Sequence, residues 1–294
     1  MPQSIRQLTP NLWVAQSELY LTNSGIFLSG EQACLIDPAV FPHEIEAIAR
    51  FVAKQKAVPQ TIVLTHSHWD HILAPKHLPG IKTIAHTNYL AETSGENGLR
   101  IRRQVEQWAA HSGVECKEPF VIPNPDEIFA DTLEVTVGNQ TLNLIHAPGH
   151  AADQLVVYHQ CQGVLWAGDM LSDLEIPYCH HLALYEQTLK RLASLDVRVL
   201  IPGHGHATTD AEEIRFRFAH DRAYLAGLRE GVEKAVDEGK TIAETVEMCS
   251  KMSYRHPETN REAHEKNVES AYVEMGGTVD GSKLGWDRLG DEAT

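Results

Sequence analysis

The sequence predicts an α/β fold in which two mixed β-sheets pack together and helices cover both outer faces. Short apolar runs with the alternation or the β-branched residues of strands are separated by segments whose apolar residues recur at helical spacing. Toward the C-terminus the helical spacing continues without strands, which predicts a helical extension. Because strands and helices alternate along the chain, the helices are expected to lie outside the sheets.

Each element can be assigned in order along the chain. Residues 11–38 are predicted to form short strands, and a helix follows Pro42 because apolar residues recur there at helical spacing. Two short strands come next, over residues 61–64 and 81–85. Residues 127–167 alternate apolar and polar side chains between turn residues, which is typical of an antiparallel meander.

The remaining segments are predicted to be helical. Residues 88–125 contain a helix-like stretch whose length exceeds an ordinary connection, and it could form a lid or pack on the edge of the sandwich. Residues 185–195 are expected to form a helix.

Residues 1–206 are expected to form one domain. Residues 207–294 are expected to form a helical extension that could join two copies in a homodimer.

One short segment concentrates side chains that bind metals. Residues 65–71 read Thr-His-Ser-His-Trp-Asp-His and directly follow the β-branched run over residues 61–64. Imidazole nitrogens and a carboxylate oxygen suit zinc, iron, cobalt or manganese. A histidine-rich surface loop is the alternative, but four donors at the end of a strand favour a metal site, since α/β folds place ligands there.

Three later strand-like runs also end near possible ligands. The candidates that follow them are His146 and His150, then Asp169, then His204 and His206. A glycine lies beside the donors in each run, which fits a backbone that turns sharply or approaches another group closely. Four separated motifs in this order are more specific than any one of them.

Together these motifs resemble those of the metallo-β-lactamase-fold hydrolase superfamily, which includes glyoxalase II-like thioesterases and lactonases. Its pattern is HxHxDH followed by isolated His, Asp and His ligands at three more strand ends. The resemblance covers about the first two thirds of the chain. It implies a four-layer αββα sandwich and makes residues 1–206 the metal-binding catalytic domain.

The resemblance implies two groups of ligands for two metal ions. One ion would be held by His66, His68 and His150, the other by Asp70, His71 and His204, and Asp169 would bridge them. We expect Asp70 and Asp169 to take part in catalysis as well. His150 and His204 are preferred to His146 and His206 because each of them follows a Pro-Gly pair, as in the family motifs.

Asp37, at the end of another apolar run, matches an aspartate that lies beside the metals in the family. It would accept an imidazole N–H and thereby fix the orientation of that ring. A turn-initiating aspartate before Pro38 is the alternative.

The reaction that the resemblance implies is hydrolysis of an ester, thioester or lactone in a small molecule. Two divalent metal ions, zinc in the first place but also iron or manganese, would supply hydroxide at neutral pH. The alternative is redox chemistry at iron on the same scaffold, as in persulfide dioxygenases.

The composition limits which binding partners and which cellular compartment we expect for this protein. A formal net charge of −15 disfavours a nucleic-acid partner. No apolar stretch approaches the length of about 18 residues that a membrane span needs, and the first residues lack the apolar core of a signal peptide. Five cysteines without a CxxC pair fit a reducing compartment, so we expect a cytoplasmic protein.

Overall fold

A computed structural model gives the fold and describes residues 4–115 and 118–278. The strands within this part of the chain are β1 Ile5–Thr9, β2 Leu12–Gln16, β3 Asn23–Ser29, β4 Gln32–Ile36, β5 Val58–Val63, β6 Lys82–His86, β7 Glu127–Phe129, β8 Thr132–Val137, β9 Gln140–His146, β10 Leu155–His159, β11 Val164–Trp166 and β12 Val199–Ile201. The helices are α1 Pro42–Lys54, α2 Tyr89–Glu92, α3 Gly95–Ser112, α4 Leu182–Leu192, α5 Ala211–Asp237, α6 Ile242–Cys249 and α7 Pro257–Glu274.

The strands form two mixed sheets. The first sheet has the order β1-β2-β3-β4-β5-β6-β7, antiparallel as far as β4 and parallel from β4 to β7. The second has the order β12-β11-β10-β9-β8, antiparallel except for the parallel pair β11 and β12. The fold class predicted from the sequence is therefore confirmed.

Alternating side chains in the strands build four layers. In β5, Val63 points between the two sheets, whereas Ile62 belongs to the cluster that packs under α1 and α3. In β10, Leu155 and Val157 point between the sheets, whereas Val156 packs toward α4 and α5. Because successive side chains of a strand face opposite ways, each sheet has two buried faces, and helices cover the outer ones.

Two elements differ from the sequence-based prediction. The segment expected to be one meander is divided, because β7 pairs with β6 in the first sheet and the chain enters the second sheet only at β8. Helix α4 begins at Leu182, three residues before the predicted start. Its first amides, those of Leu182 and Ala183, donate to the carboxylate of Glu274 at 2.6 and 3.0 Å.

The C-terminal helices pack directly on the second sheet. Leu225, Leu228 and Val232 of α5 are fully buried in the same cluster as Leu165 and Leu200 of the sheet. None of the helices in the described part of the chain combines the length and the apolar character that a membrane span requires.

Candidate metal centre

All seven predicted ligands lie in loops at the carboxyl ends of four strands. The loop after β5 carries four of them, and the loops after β9, β11 and β12 carry His150, Asp169 and His204. The first strand belongs to one sheet and the other three to the second sheet. The four loops therefore meet at the carboxyl ends of these strands, at the same end of both sheets.

A single helical turn over residues 69–71 shapes the loop after β5. In it, the amide of His71 donates to the carbonyl oxygen of His68 at 3.1 Å. The turn folds the chain back, so that Asp70 and His71 face the same space as the extended residues His66 and His68. A continuous strand could not do this, because it would alternate the side chains between two faces.

The ligand atoms form the two groups that the resemblance implied. The first contains His66, His68, His150 and Asp169, and the second contains Asp70, His71 and His204. Within each group the candidate atoms all lie within 4.8 Å of one another. Seven residues that span 139 positions of the sequence, from 66 to 204, thus converge at one place.

Asp169 faces both groups. Its Oδ2 atom lies 3.4 Å from Nε2 of both His66 and His150, and 3.3 Å from Nε2 of His204. Its Oδ1 atom lies 3.3 Å from Nε2 of His71. One carboxylate therefore faces both groups of ligand atoms, as a bridging ligand would have to.

Hydrogen bonds to backbone carbonyl oxygens outside the cluster fix the orientation of two of the imidazoles. Nδ1 of His150 lies 3.1 Å from the carbonyl oxygen of Tyr178, and Nδ1 of His204 lies 3.3 Å from that of Tyr20. Because a carbonyl oxygen can only accept, the ring proton belongs on Nδ1 in both residues. When the ring is neutral, the lone pair of Nε2 is then left to face the cluster.

Asp37 orients two further imidazoles. Its Oδ2 atom accepts from Nδ1 of His71 at 3.0 Å and from the Thr65 hydroxyl at 2.6 Å. The Thr65 oxygen in turn lies 3.1 Å from Nδ1 of His66. The contact expected between Asp37 and an imidazole is present, and Thr65 extends it to a second ring.

The charges of the two groups differ. Burial lowers the pKa of His68 and His150 well below 6.5 and keeps both rings neutral. Burial alone would also lower the pKa of His204, but the carboxylates of Asp169, Glu175 and Asp70 together outweigh it and raise that pKa to about 10. Burial would raise the pKa of Asp169, yet His71 and His204 hold it well below 3.8, so this carboxylate is ionised.

Two buried atoms at the centre of the cluster indicate whether its side chains could hold metal ions. Nε2 of His66 and Oδ1 of Asp169 are shielded from solvent and have no hydrogen-bond partner. Nε2 of His150 and Nδ1 of His68 face each other at 3.1 Å although burial keeps both rings neutral. Buried nitrogen and oxygen atoms that converge in this way are the ligands that a divalent cation requires.

The other histidines considered from the sequence lie apart from this cluster. His146 stacks on His86 with 3.6 Å between ring centroids, and its Nε2 lies 2.9 Å from the carbonyl oxygen of Ala152. His206 is exposed, and its Nδ1 atom lies 2.8 Å from Oδ2 of Asp173. Neither belongs to the two groups of ligand atoms.

A cavity of about 390 Å³ opens above the cluster. Besides five of the predicted ligand side chains at its floor, it is lined by Tyr20, Trp69, Gln104, Glu175, Tyr178, Thr259, Glu262, Ala263 and Lys266. The segment 88–125 contributes Gln104 of α3 to one wall, while Ile101 and Val105 of the same helix pack in the core. Burial raises the pKa of the Glu175 carboxyl to about 7.

Sequence reasoning missed the wall that α7 provides. Glu262 and Lys266 form an ion pair one helical turn apart, and Lys266 is buried although lysine is usually exposed. The available signal was a charged pair at positions i and i+4 on a helix face that otherwise reads as core. Nothing in the sequence indicates that this face turns toward residues more than 50 positions earlier.

The protein has two mixed sheets between helices, and a cluster of histidines and aspartates lies in the loops at one end of both sheets. These features define a class of α/β proteins with metal-ligating loops. The sequence model of the metallo-beta-lactamase superfamily matches residues 18–204. The chain therefore belongs to the metallo-beta-lactamase superfamily, whose members are generally hydrolytic enzymes.

Two relatives illustrate the similarity in sequence. The beta-lactamase-like protein 2 homolog of Drosophila melanogaster is 27% identical over 192 residues, which are 63% of this chain and 59% of that protein. The atrochrysone carboxyl ACP thioesterase of Aspergillus fumigatus is 26% identical over 206 residues, which are 69% of this chain and 56% of that protein. The chain thus matches less than two thirds of the length of each of these two relatives.

A solved structure illustrates the similarity in fold. The inverting sec-alkylsulfatase Pisa1 from Pseudomonas sp. superimposes with a TM-score of 0.73 at 17% sequence identity. The match covers 95% of this chain and 51% of the alkylsulfatase. It therefore extends beyond the segment that the family model matches.

Proposed function

We propose that this protein is a dinuclear metal-dependent hydrolase that cleaves a carboxylic ester, thioester or lactone in a small molecule. The observation that carries the proposal is the convergence of five imidazoles and two carboxylates in two adjoining groups, with Asp169 facing both. A purely structural zinc site is usually a closed set of four ligands. Seven donors beside an open cavity exceed what stability alone would need.

In this proposal His66, His68 and His150 hold one ion, Asp70, His71 and His204 hold the other, and Asp169 contacts both. Two divalent ions bound there would lower the pKa of a water molecule to about 7 and polarise the bond to be cleaved. The neutral imidazoles of the first group leave the positive charge of an ion largely uncancelled. The two aspartates supply harder donors, with which zinc, iron and manganese are all compatible.

The cavity supports a small substrate with an apolar portion. A volume of about 390 Å³ lies within the range of small-molecule sites, roughly 300–1,000 Å³. Tyr20, Trp69 and Tyr178 provide aromatic surface beside the polar cluster. The similarity to a protein named as a thioesterase supports placing thioesters in the first panel of substrates.

The test replaces the bridging carboxylate without changing its shape. Asp169→Asn should lower kcat/KM for the best ester, thioester or lactone by on the order of 10³-fold, since the metals are proposed to supply several kcal/mol of transition-state stabilisation. Asp196→Asn is the matched control, because that aspartate is exposed and its carboxylate pairs with Arg198 at the surface. Equal turnover by both variants would remove Asp169 from the mechanism.

Metal analysis of the protein distinguishes the proposal from redox chemistry on the same scaffold. Hydrolysis should be supported by zinc or manganese as well as by iron, and it should consume no oxygen. Activity that requires iron and consumes oxygen would instead favour a persulfide dioxygenase-like reaction.

A further inference from the structure

Residues 170–181, which we call the Asp169–α4 loop, connect the proposed bridging ligand to α4 and line the cavity with Glu175 and Tyr178. Side chains from the C-terminal part of the chain hold the backbone of this loop. Arg255 donates to the carbonyl oxygens of Ser172 and Glu175, and Asn260 donates to that of Leu174. Asn267 binds the loop on both sides of Tyr178.

Asn267 is fully buried, and its side-chain amide makes three hydrogen bonds. Its Oδ1 atom accepts from the amide of Cys179 at 2.7 Å. Its Nδ2 atom donates to the carbonyl oxygen of Pro177 at 2.6 Å and to the Tyr224 hydroxyl at 2.8 Å. One side chain thus clamps the two residues that flank Tyr178.

The clamp is itself held by the neighbouring helices. The Tyr224 hydroxyl of α5 lies 3.0 Å from Nδ1 of His264, and Nε2 of His264 lies 2.9 Å from the carbonyl oxygen of Cys249 in α6. Since that carbonyl can only accept, the His264 proton is on Nε2, and the Tyr224 hydroxyl donates to Nδ1. The Tyr224 oxygen is then free to accept from Asn267, so the orientation of the amide is determined.

Between the two clamped residues, the carbonyl oxygen of Tyr178 accepts from Nδ1 of His150 at 3.1 Å. This hydrogen bond places the ring proton on Nδ1 and turns Nε2 toward the first ligand group. A chain of contacts therefore leads from three C-terminal helices through Asn267 and Tyr178 to one metal ligand. Asn267 lies outside the segment matched by the family model, residues 18–204.

We propose that Asn267 is a positioning residue that, through the backbone of Tyr178, sets the orientation of His150 and so controls metal affinity at the first ligand group alone. The proposal rests on the metal centre of the proposed function. In the second group, His71 donates to Asp37 and His204 donates to the carbonyl oxygen of Tyr20, and neither of these two contacts involves Asn267.

The test measures the zinc affinity of the two groups separately. Metal-free wild-type protein and Asn267→Ala are titrated with zinc in competition with a chromophoric chelator. We expect two binding steps in the wild type, and in the variant a loss of about 10–100-fold in one step with the other unchanged. Asn267→Asp has the same shape, keeps the acceptor for Cys179 and should give a smaller loss in the same step.

Asn260→Ala is the matched control. Asn260 is also buried on the same helix, and its replacement removes two side-chain hydrogen bonds, to the carbonyl oxygens of Leu174 and Arg255, but it does not flank Tyr178. Asn260→Ala should lower the melting temperature, as Asn267→Ala does, and leave both zinc steps unchanged.

Wild-type zinc affinity in folded Asn267→Ala and Asn267→Asp would overturn the proposal, as would equal weakening of both steps or the same selective loss in Asn260→Ala. These outcomes are separate from failure of the proposed function. If wild type binds two zinc ions and hydrolyses no substrate, the proposed function fails while the role of Asn267 is still decided by the titration.

Discussion

At Gly203, the backbone of the loop after β12 passes directly beside the carboxylate of Asp169. A Cβ atom added there would overlap Oδ1 of Asp169, although the backbone angles of Gly203 are open to any residue. We therefore expect Gly203→Ala to displace this carboxylate and lower kcat/KM by about 10²-fold, the usual result of a misplacement of about 1 Å.

Gly227→Ala provides the comparison. Gly227 lies within α5, and an added Cβ would meet only the flexible end of Met252 at 3.3 Å. Alanine favours a helix over glycine by about 1 kcal/mol, so this variant should keep its activity and be no less stable. Activity of Gly203→Ala equal to that of Gly227→Ala would mean that Asp169 has room to move.

Thr65 allows the relay from Asp37 to His66 to be tested. Thr65→Val keeps the shape of the side chain but removes the oxygen that accepts from His66 and donates to Asp37. We expect zinc affinity to fall by about 10–100-fold, the range seen when the partner of a ligating histidine is removed. Chelator competition measures it, with Thr61→Val of β5 as the control, and an unchanged affinity would contradict the relay.

For single residues, the sequence indicates the candidate metal ligands but not the residues that hold those ligands in place. Seven candidate ligands could be named because histidine and aspartate after strand-like runs are a chemical signal in themselves, and the structure brings these side chains together. Thr65 and Asn267 carry no such signal, since their roles depend on which backbone group lies opposite. Only the folded chain reveals that neighbour.

Among the elements, α4 depends on a residue far from it in sequence. The Glu274 carboxylate accepts from the first two amides of α4 and also pairs with His181 at 3.1 Å. Loss of a helix cap costs about 0.5–2 kcal/mol, so Glu274→Ala should lower the free energy of unfolding by about this amount. Urea denaturation monitored by circular dichroism would measure it.

Glu247→Ala is the corresponding control, because Glu247 is exposed on α6. A surface change of this kind usually stays within about 0.5 kcal/mol. If the two variants have the same stability, the carboxylate of Glu274 does not act as a cap.

The same cap explains why the start of α4 was predicted incorrectly. Apolar spacing locates the buried face of a helix, and it indicated a helix over residues 185–195. The true start at Leu182 is set by hydrogen bonds to Glu274, which periodicity does not reveal. Likewise, alternation identified strands in residues 127–167 but not that β7 belongs to the other sheet.

The stability of the whole molecule should depend on pH through a stacked histidine pair. Burial lowers the pKa of His86 and His146, and the proximity of the His146 ring lowers that of His86 further. Asp131 raises both values, whereas Arg191 lowers that of His146. Nδ1 of His86 accepts from the amide of Asn88, so protonation would break this bond.

The sign follows from comparison with the unfolded chain. There both histidines have a pKa of about 6.5, so at acidic pH the unfolded state binds more protons than the folded state. Stability contributed by neutral rings is complete above about pH 6.5 and is lost as pH falls below it.

Melting temperatures between about pH 5 and 7 would show the effect. We expect His146→Gln to flatten the decline at acidic pH by about 2–4 °C, while His111→Gln, at an exposed position, should follow the wild type. Parallel curves for wild type and His146→Gln would exclude the pair as a source of acid sensitivity.

At the scale of the whole molecule, the layered architecture could be predicted, because alternating apolar patterns require sheets with two buried faces. The absence of a nucleic-acid partner, the homodimer through the C-terminal helices and the cytoplasmic location stay predictions. The shape of the cavity could not be foreseen, since its walls come from α3, from the Asp169–α4 loop and from α7.

Helix α7 contributes to the cavity and to the loop beside it. Glu262 and Lys266 line the cavity, and Asn267, the residue after Lys266, binds the backbone of the Asp169–α4 loop. Rotating or shifting this helix to admit a different molecule would also move the clamp on Tyr178. If Asn267 acts as proposed, redesign of the cavity from the side of this helix would change substrate choice and metal affinity together.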